Sequence, residues 1–178
     1  LAGGVSSDIW LLETEQRRFC VKRALPKLKV VQDWFAPLDR NRYEHHWYQL
    51  AHQIVPGSVP QVLATDDAAL LFAMEYLDPE QHPLWKTELL AGRIKPTFAA
   101  RVGERLGKIH SATAHRSDLA DAFATGSNFE QLRLEPYLRA TALRHSEFTT
   151  ILQSLADKTT HQKLTLVHGD VSPKNILE

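Results

Sequence analysis

Two residues able to do chemistry stand five positions apart near the end of the chain. They are Asp170 and Asn175, within Val167-His168-Gly169-Asp170-Val171-Ser172-Pro173-Lys174-Asn175-Ile176-Leu177. A carboxylate can take a proton from a hydroxyl, and an amide oxygen is a hard ligand for a hard cation. Pro173 stiffens the stretch between them. The apolar run Leu164 to Val167 and the second one starting at Ile176 predict a strand–loop–strand that holds both groups at the edge of a cleft. His168 is expected to brace this loop through a hydrogen bond. A metal pair of His168 with Asp170 is the alternative, although no third ligand is evident.

At the other end, Gly3, Gly4, Ser6 and Ser7 form a small, flexible stretch whose free amides and hydroxyls could close over phosphates. A plain β-turn fits the same residues. Ile9 to Leu12 and Phe19 to Ala24 flank the polar segment Glu13 to Arg18 and read as a hairpin. Alternation on its second strand puts Cys20, Lys22 and Ala24 on one side, with Phe19, Val21 and Arg23 on the other. By itself Lys22 is also consistent with a solvated strand lysine.

The remaining elements are those that must position these groups. Pro26 to Pro37 is a connector, and a helix is predicted from Leu38 to about Ile54, with Tyr43, Trp47, Leu50, Ala51 and Ile54 on its apolar face. Glu44 lies in its first half, either exposed or paired with a cation such as Arg42. A hairpin follows, from Gln61 to Ala64 and Ala69 to Tyr76, turning at Thr65-Asp66-Asp67. The apolar run from Leu70 to Leu77 marks its second strand as interior. Beyond Asp78-Pro79 the pattern is helical: Leu84 to Ala91, Pro96 to His115, Phe129 to Leu143 and Phe148 to Ala156, with Ala112 to Ser127 a loop. Gly103 and Gly107 predict a groove where another element approaches closely, and His110 a packing residue.

In this order the residues resemble the aminoglycoside phosphotransferase and choline kinase family. Its nucleotide loop has a Gly-Gly-x-Ser-Ser look, and its catalytic loop reads His-Gly-Asp with an Asn five residues on. The resemblance implies an α+β, protein-kinase-like fold of two lobes: residues 1–77, a small antiparallel sheet with one helix, and residues 78–178, a partial, mostly helical lobe ending in the catalytic loop. It implies ATP and Mg²⁺ as cofactors, with a hydroxyl of a small molecule (aminoglycoside, amino-alcohol or sugar-like) as acceptor of the γ-phosphoryl group. Asp170 would be the base and Asn175 the metal ligand. Gly4, Ser6, Ser7 and Lys22 would meet the phosphates, with Glu44 steadying Lys22. Cys20 and Met74 would line the adenine pocket, and the main chain of Glu75 and Leu77 would face the base.

Gly169 stands where many protein kinases carry an arginine that meets a phosphorylated activation loop. Ser172 stands where they carry a lysine directed at the transferred phosphate. Both changes resemble small-molecule kinases. The family's second metal-binding acid lies beyond Ile176, so the chain is expected to be a fragment truncated at both ends. A non-catalytic nucleotide-binding or scaffolding module of the same fold is the competing reading.

Composition narrows the setting. The 178 residues are 43% hydrophobic and 24% charged, ordinary for a globular protein. Lys and Arg number 21, as do Asp and Glu, so no net field favours nucleic acid or an anionic membrane. The single cysteine cannot form an internal disulfide, and no apolar run reaches the roughly 18 residues of a membrane span. A cytoplasmic location is the expectation. The nine histidines show no metal-binding spacing.

Overall fold

Two hairpins of alternating apolar residues build one sheet, in the order β1 (Ser7–Glu13), β2 (Arg18–Ala24), β4 (Leu71–Glu75), β3 (Val62–Asp66), all neighbours antiparallel. This is a computed structural model, which describes residues 4–31 and 33–178; Gly3 of the proposed phosphate loop lies outside the described residues. The β1–β2 turn is closed by Thr14, whose hydroxyl accepts from the Arg17 N–H at 3.1 Å and donates to the Arg17 carbonyl at 3.0 Å. The interior position of β4 agrees with its apolar run. The second turn falls at residues 67–70 rather than at Thr65 to Asp67. There Asp66 Oδ1 takes the Ala69 N–H at 2.9 Å, and Leu70 adopts a left-handed φ of 53°.

One face of the sheet is the core. Register pairs Cys20 with Met74 and Lys22 with Phe72, so the alternation read from the sequence puts Cys20, Phe72 and Met74 together, backed by Ile9, Tyr48 and Tyr76. Phe72 is wholly buried. Across this face lies α1 (Arg40–Ile54), whose fully buried positions are Asn41, His45 and Ala51. The first two are polar and escape a hydrophobic pattern. His45 packs on Phe72 at 5.7 Å between ring centroids and meets Asp67 at 3.0 Å. Tyr43 and Trp47 instead turn toward the helical part, against Phe123 and His168.

The helical part holds α2 (Trp85–Leu90), α3 (Pro96–Thr113), α4 (Ser117–Ala122), α5 (Gly126–Phe129), a π-helical stretch Glu130–Arg139, α6 (Ala140–Arg144) and α7 (Thr149–His161). Pro96 opens α3, where its missing N–H costs nothing. Phe98 and Ile109 are buried on one face of α3. Gly103 and Gly107, however, border open space, so no element fills a groove there among the described residues. The segment expected to be a loop after Ala112 contains α4 and α5. The helix expected over Phe129 to Leu143 is widened into a π-helical stretch that encloses Pro136, which has no N–H to give.

The apolar run Leu164 to Val167 is not a strand. It is irregular and tied to α3 by hydroxyls: Thr165 Oγ1 donates to the His110 carbonyl at 2.7 Å, and the Leu166 N–H donates to Thr113 Oγ1 at 3.2 Å. Leu164 and Val167 stay half exposed, and among the described residues no strand pairs with this run, so these links stand in for a ladder. The run from Ile176 makes a single bridge, Leu177 with Leu84, flanked by the Trp85 N–H to Ile176 carbonyl bond at 2.9 Å. Sheet and helices together form an α+β, kinase-like architecture.

Candidate active site

Lys22 projects from the core face of β2 toward α1, and Glu44 projects from α1 to meet it in a direct ion pair. Lys22 is largely enclosed, with 15% of its side chain exposed. Burial alone would lower its pKa. The Glu44 carboxylate, with a contribution from Tyr48, outweighs that and holds the ammonium above its ordinary value. Tyr48 lies one turn beyond Glu44; burial and the nearby carboxylate push the phenol up to about 12, so it stays neutral. Arg42, the alternative partner for Glu44, lies instead over the Tyr43 ring at 5.9 Å.

The proposed phosphate loop is stitched to the same helix. Arg40, at the start of α1, donates to the carbonyls of Ser6 at 2.7 Å, Leu25 at 2.6 Å, Pro37 at 2.6 Å and Ala36 at 3.0 Å. Burial lowers its pKa. Gly4 is exposed and Ser6 partly so, whereas Ser7 is buried as the first residue of β1. Cys20 and Met74 are buried side by side, and burial raises the Cys20 thiol. Glu75 gives its N–H to the Gln61 carbonyl at 2.9 Å. Leu77 lies beyond the last ladder pair, Phe19 with Glu75.

The far side is the loop from His168 to Asn175. Gly169 has a φ of 77°, a conformation that disfavours a side chain. The Asp170 N–H donates to His168 Nδ1 at 3.2 Å, so the histidine braces the loop as expected. Residues 173–175 form a 3₁₀ turn that carries Asn175 back to donate from Nδ2 to the Asp170 carbonyl at 3.0 Å. Because its NH₂ is used there, the Asn175 oxygen is left as a free acceptor. An amide oxygen of this kind suits Mg²⁺, which keeps several waters and takes few protein ligands. Among the described residues no cluster of three or more His, Cys, Asp or Glu gathers for a metal. A cavity of about 420 Å³ opens beside the loop, lined by Lys86, Leu89, Leu90, Ser172, Pro173 and Lys174.

The two sides meet at His168. Its ring stands edge-on to Trp47 of α1, with centroids 4.8 Å apart. Burial pulls its pKa below the ordinary value; Asp170 and Glu44 act against this, while Arg133 and Lys22 add to it. Lys22, Glu44 and Asp170 therefore all lie within electrostatic reach of one imidazole. A second link joins Asn128 of α5 to Asp39 at 3.3 Å.

Three participants were not singled out from the sequence. Tyr48 and Arg40 each lie four residues from Glu44, on its helix face, so helical spacing could have found both. Arg133 has no such signal. It reaches the loop from the π-helical stretch, pairing with Asp170 Oδ2 at 3.2 Å.

A family profile described as phosphotransferase enzyme family matches residues 1–177. The chain is 28% identical over 185 aligned residues to a methylthioribose kinase of Yersinia pseudotuberculosis, covering 89% of this chain and 45% of that protein. It is 32% identical over 107 residues to the enzyme of that name from Pectobacterium carotovorum, covering 58% and 26% of the two chains. For that of Bacillus pumilus the identity is 35% over 95 residues, covering 53% and 23%. The chain thus spans less than half the length of these relatives. With nearly every residue inside the profile and the loop geometry described above, the chain belongs to the phosphotransferase enzyme family.

Proposed function

We propose that the protein containing this chain transfers the γ-phosphoryl group of ATP to a hydroxyl of a small, sugar-like molecule. The observation that carries this reading is the meeting of the Lys22–Glu44 pair and the Asp170–Asn175 loop around His168 and Trp47. Residues 1–77 and 78–178 are read as the two lobes flanking the cleft. The sugar-like acceptor follows from the methylthioribose kinases among the relatives.

Phosphoryl transfer demands positioning and charge neutralisation more than covalent chemistry. Lys22, held by Glu44, meets the nucleotide phosphates, with Gly4 and Ser6 on the loop above them. Ser7 serves this loop through its backbone, since its side chain is buried. The base stacks against Cys20 and Met74 and meets the main chain of Glu75 and Leu77. Asn175 would hold Mg²⁺ through its amide oxygen, and the ion would supply charge neutralisation for the phosphates. Asp170 accepts a hydrogen bond from the acceptor hydroxyl and takes its proton as that oxygen bonds to the γ-phosphorus and the bond from the γ-phosphorus to the β,γ-bridging oxygen breaks, releasing ADP.

The test is a coupled kinase assay of the full-length protein with Mg²⁺·ATP and a panel of sugars, methylthioribose included, beside amino-alcohols and aminoglycosides. Asp170→Asn is the control. Turnover of a sugar that falls about 10²- to 10⁴-fold in the variant, the usual weight of a positioned base, supports the reading. Turnover undiminished by Asp170→Asn removes Asp170 as the base. ATP binding by the wild type without transfer to any acceptor favours the non-catalytic module.

A further inference from the structure

The guanidinium of Arg133 is spent entirely on the catalytic loop and its own helix. Nη1 donates to the Leu132 carbonyl at 2.8 Å. Pro136, four residues beyond Leu132, cannot supply an α-helical N–H to that carbonyl. This bond fixes the plane of the guanidinium. Its other edge then faces outward: Nε donates to the Gly169 carbonyl at 2.7 Å, and Nη2 pairs with Asp170 Oδ2 at 3.2 Å. Lys174 approaches the same Oδ2, at 3.6 Å. Both cations come nearest to the same oxygen of the carboxylate, Oδ2.

We propose that Arg133 is a positioning residue for the phosphoryl-transfer step: by holding Gly169 and Asp170 together it sets the rotation of the carboxylate, turning Oδ2 to the cations and Oδ1 to the acceptor hydroxyl. This rests on the reading of Asp170 as base. A planar fork suits the task, because one rigid group spans a backbone carbonyl and a carboxylate at once; a lysine ammonium reaches one or the other. Ser172 stands where many protein kinases carry a lysine, and here the positive charge beside Asp170 comes from Lys174 of the same loop and from Arg133 of a distant helix. That placement makes the irregular stretch Glu130–Arg139 part of the active site.

The consequence is a loss in kcat rather than in binding, since Arg133 as placed touches neither the Lys22 pair nor Asn175. In the full-length protein, Arg133→Ala is expected to lower kcat about 10- to 100-fold, the scale of a small misplacement of a reacting group. The KM for ATP should stay within about twofold, being set by groups Arg133 does not touch. Arg133→Lys keeps the charge and stem but should stay near the alanine variant, and free guanidinium ion at millimolar levels should restore the alanine variant by several-fold. The assay uses Mg²⁺·ATP with the acceptor found in the screen, or with water as acceptor if none is found. Wild-type kcat in either variant overturns the proposal. So does a loss that guanidinium does not relieve and that comes with a lower melting temperature, which would make Arg133 a purely structural residue. Asp170→Asn in the same assay separates the two readings: if it is inactive while Arg133→Ala is fully active, only the positioning role fails; if it is active, the base assignment itself falls.

Discussion

The two sides of the cleft hold their charged groups in different ways. On the sheet side, Lys22 and Glu44 sit on a regular strand and a regular helix, enclosed and matched one to one, with Tyr48 completing the pair. On the loop side, Asp170 sits on irregular backbone, about a third exposed, shared between Arg133 and Lys174. The first arrangement is suited to holding a fixed charge against phosphates. The second leaves the carboxylate partly exposed, where an acceptor can approach it. A static half and an accessible half are what in-line transfer between a bound nucleotide and an incoming hydroxyl requires.

This contrast predicts different symptoms for the two sides. The largest effect belongs to the loop side, where Asp170→Asn, by removing the proposed base, is expected to depress kcat while leaving nucleotide affinity nearly intact. Next comes Lys22→Met. It deletes a charge-assisted contact worth about 1.5–3 kcal/mol and should raise the ATP dissociation constant roughly 10- to 100-fold, measured by calorimetry in the presence of Mg²⁺. An unchanged ATP affinity in that variant would break the comparison, because the sheet side would then have no claim on the nucleotide.

The smallest effect concerns His168, which touches both sides. Its pKa is depressed, so the ring is neutral near pH 7 and Nδ1 is free to accept the Asp170 N–H. The sign follows from linkage: a histidine with a lowered folded-state value contributes stability above its unfolded value, about 6.5, and loses it as pH falls through the folded value. Protonation puts a hydrogen on Nδ1 and breaks the brace. Activity and melting temperature should therefore both decline on the acid side. In His168→Asn, whose side-chain oxygen can accept the same N–H without titrating, that part of the acid limb should disappear from the pH–rate profile. An identical limb in the variant would assign it to another group.

The strands of the sheet side were readable in the sequence because period-two alternation on β2 settles which residues share a face. That rule put Cys20 with Lys22, and the apolar run at Leu71–Glu75 marked the interior strand. The polar burial of Asn41 and His45 was not readable, since it depends on what lies across the sheet rather than on any repeat along the chain. The loop side was readable only as a motif. Leu164 to Val167 has the composition of a strand, yet no strand pairs with it among the described residues, and hydroxyl contacts to α3 take the place of a ladder. Arg133 was invisible because its position follows from a π-helical widening at Pro136, and 37 residues separate it from Asp170. Spacing rules work within one regular element; they say nothing about a side chain delivered from another.

The central claim is that one triphosphate bridges the two sides. The direct measurement is a crystal structure of the full-length protein with Mg²⁺ and a non-hydrolysable ATP analogue. The account predicts phosphate oxygens at hydrogen-bond distance from Lys22 Nζ, and the metal on the Asn175 oxygen with Asp170 beside the γ-phosphate. An analogue bound with its phosphates away from Lys22, or a metal that ignores Asn175, would contradict it.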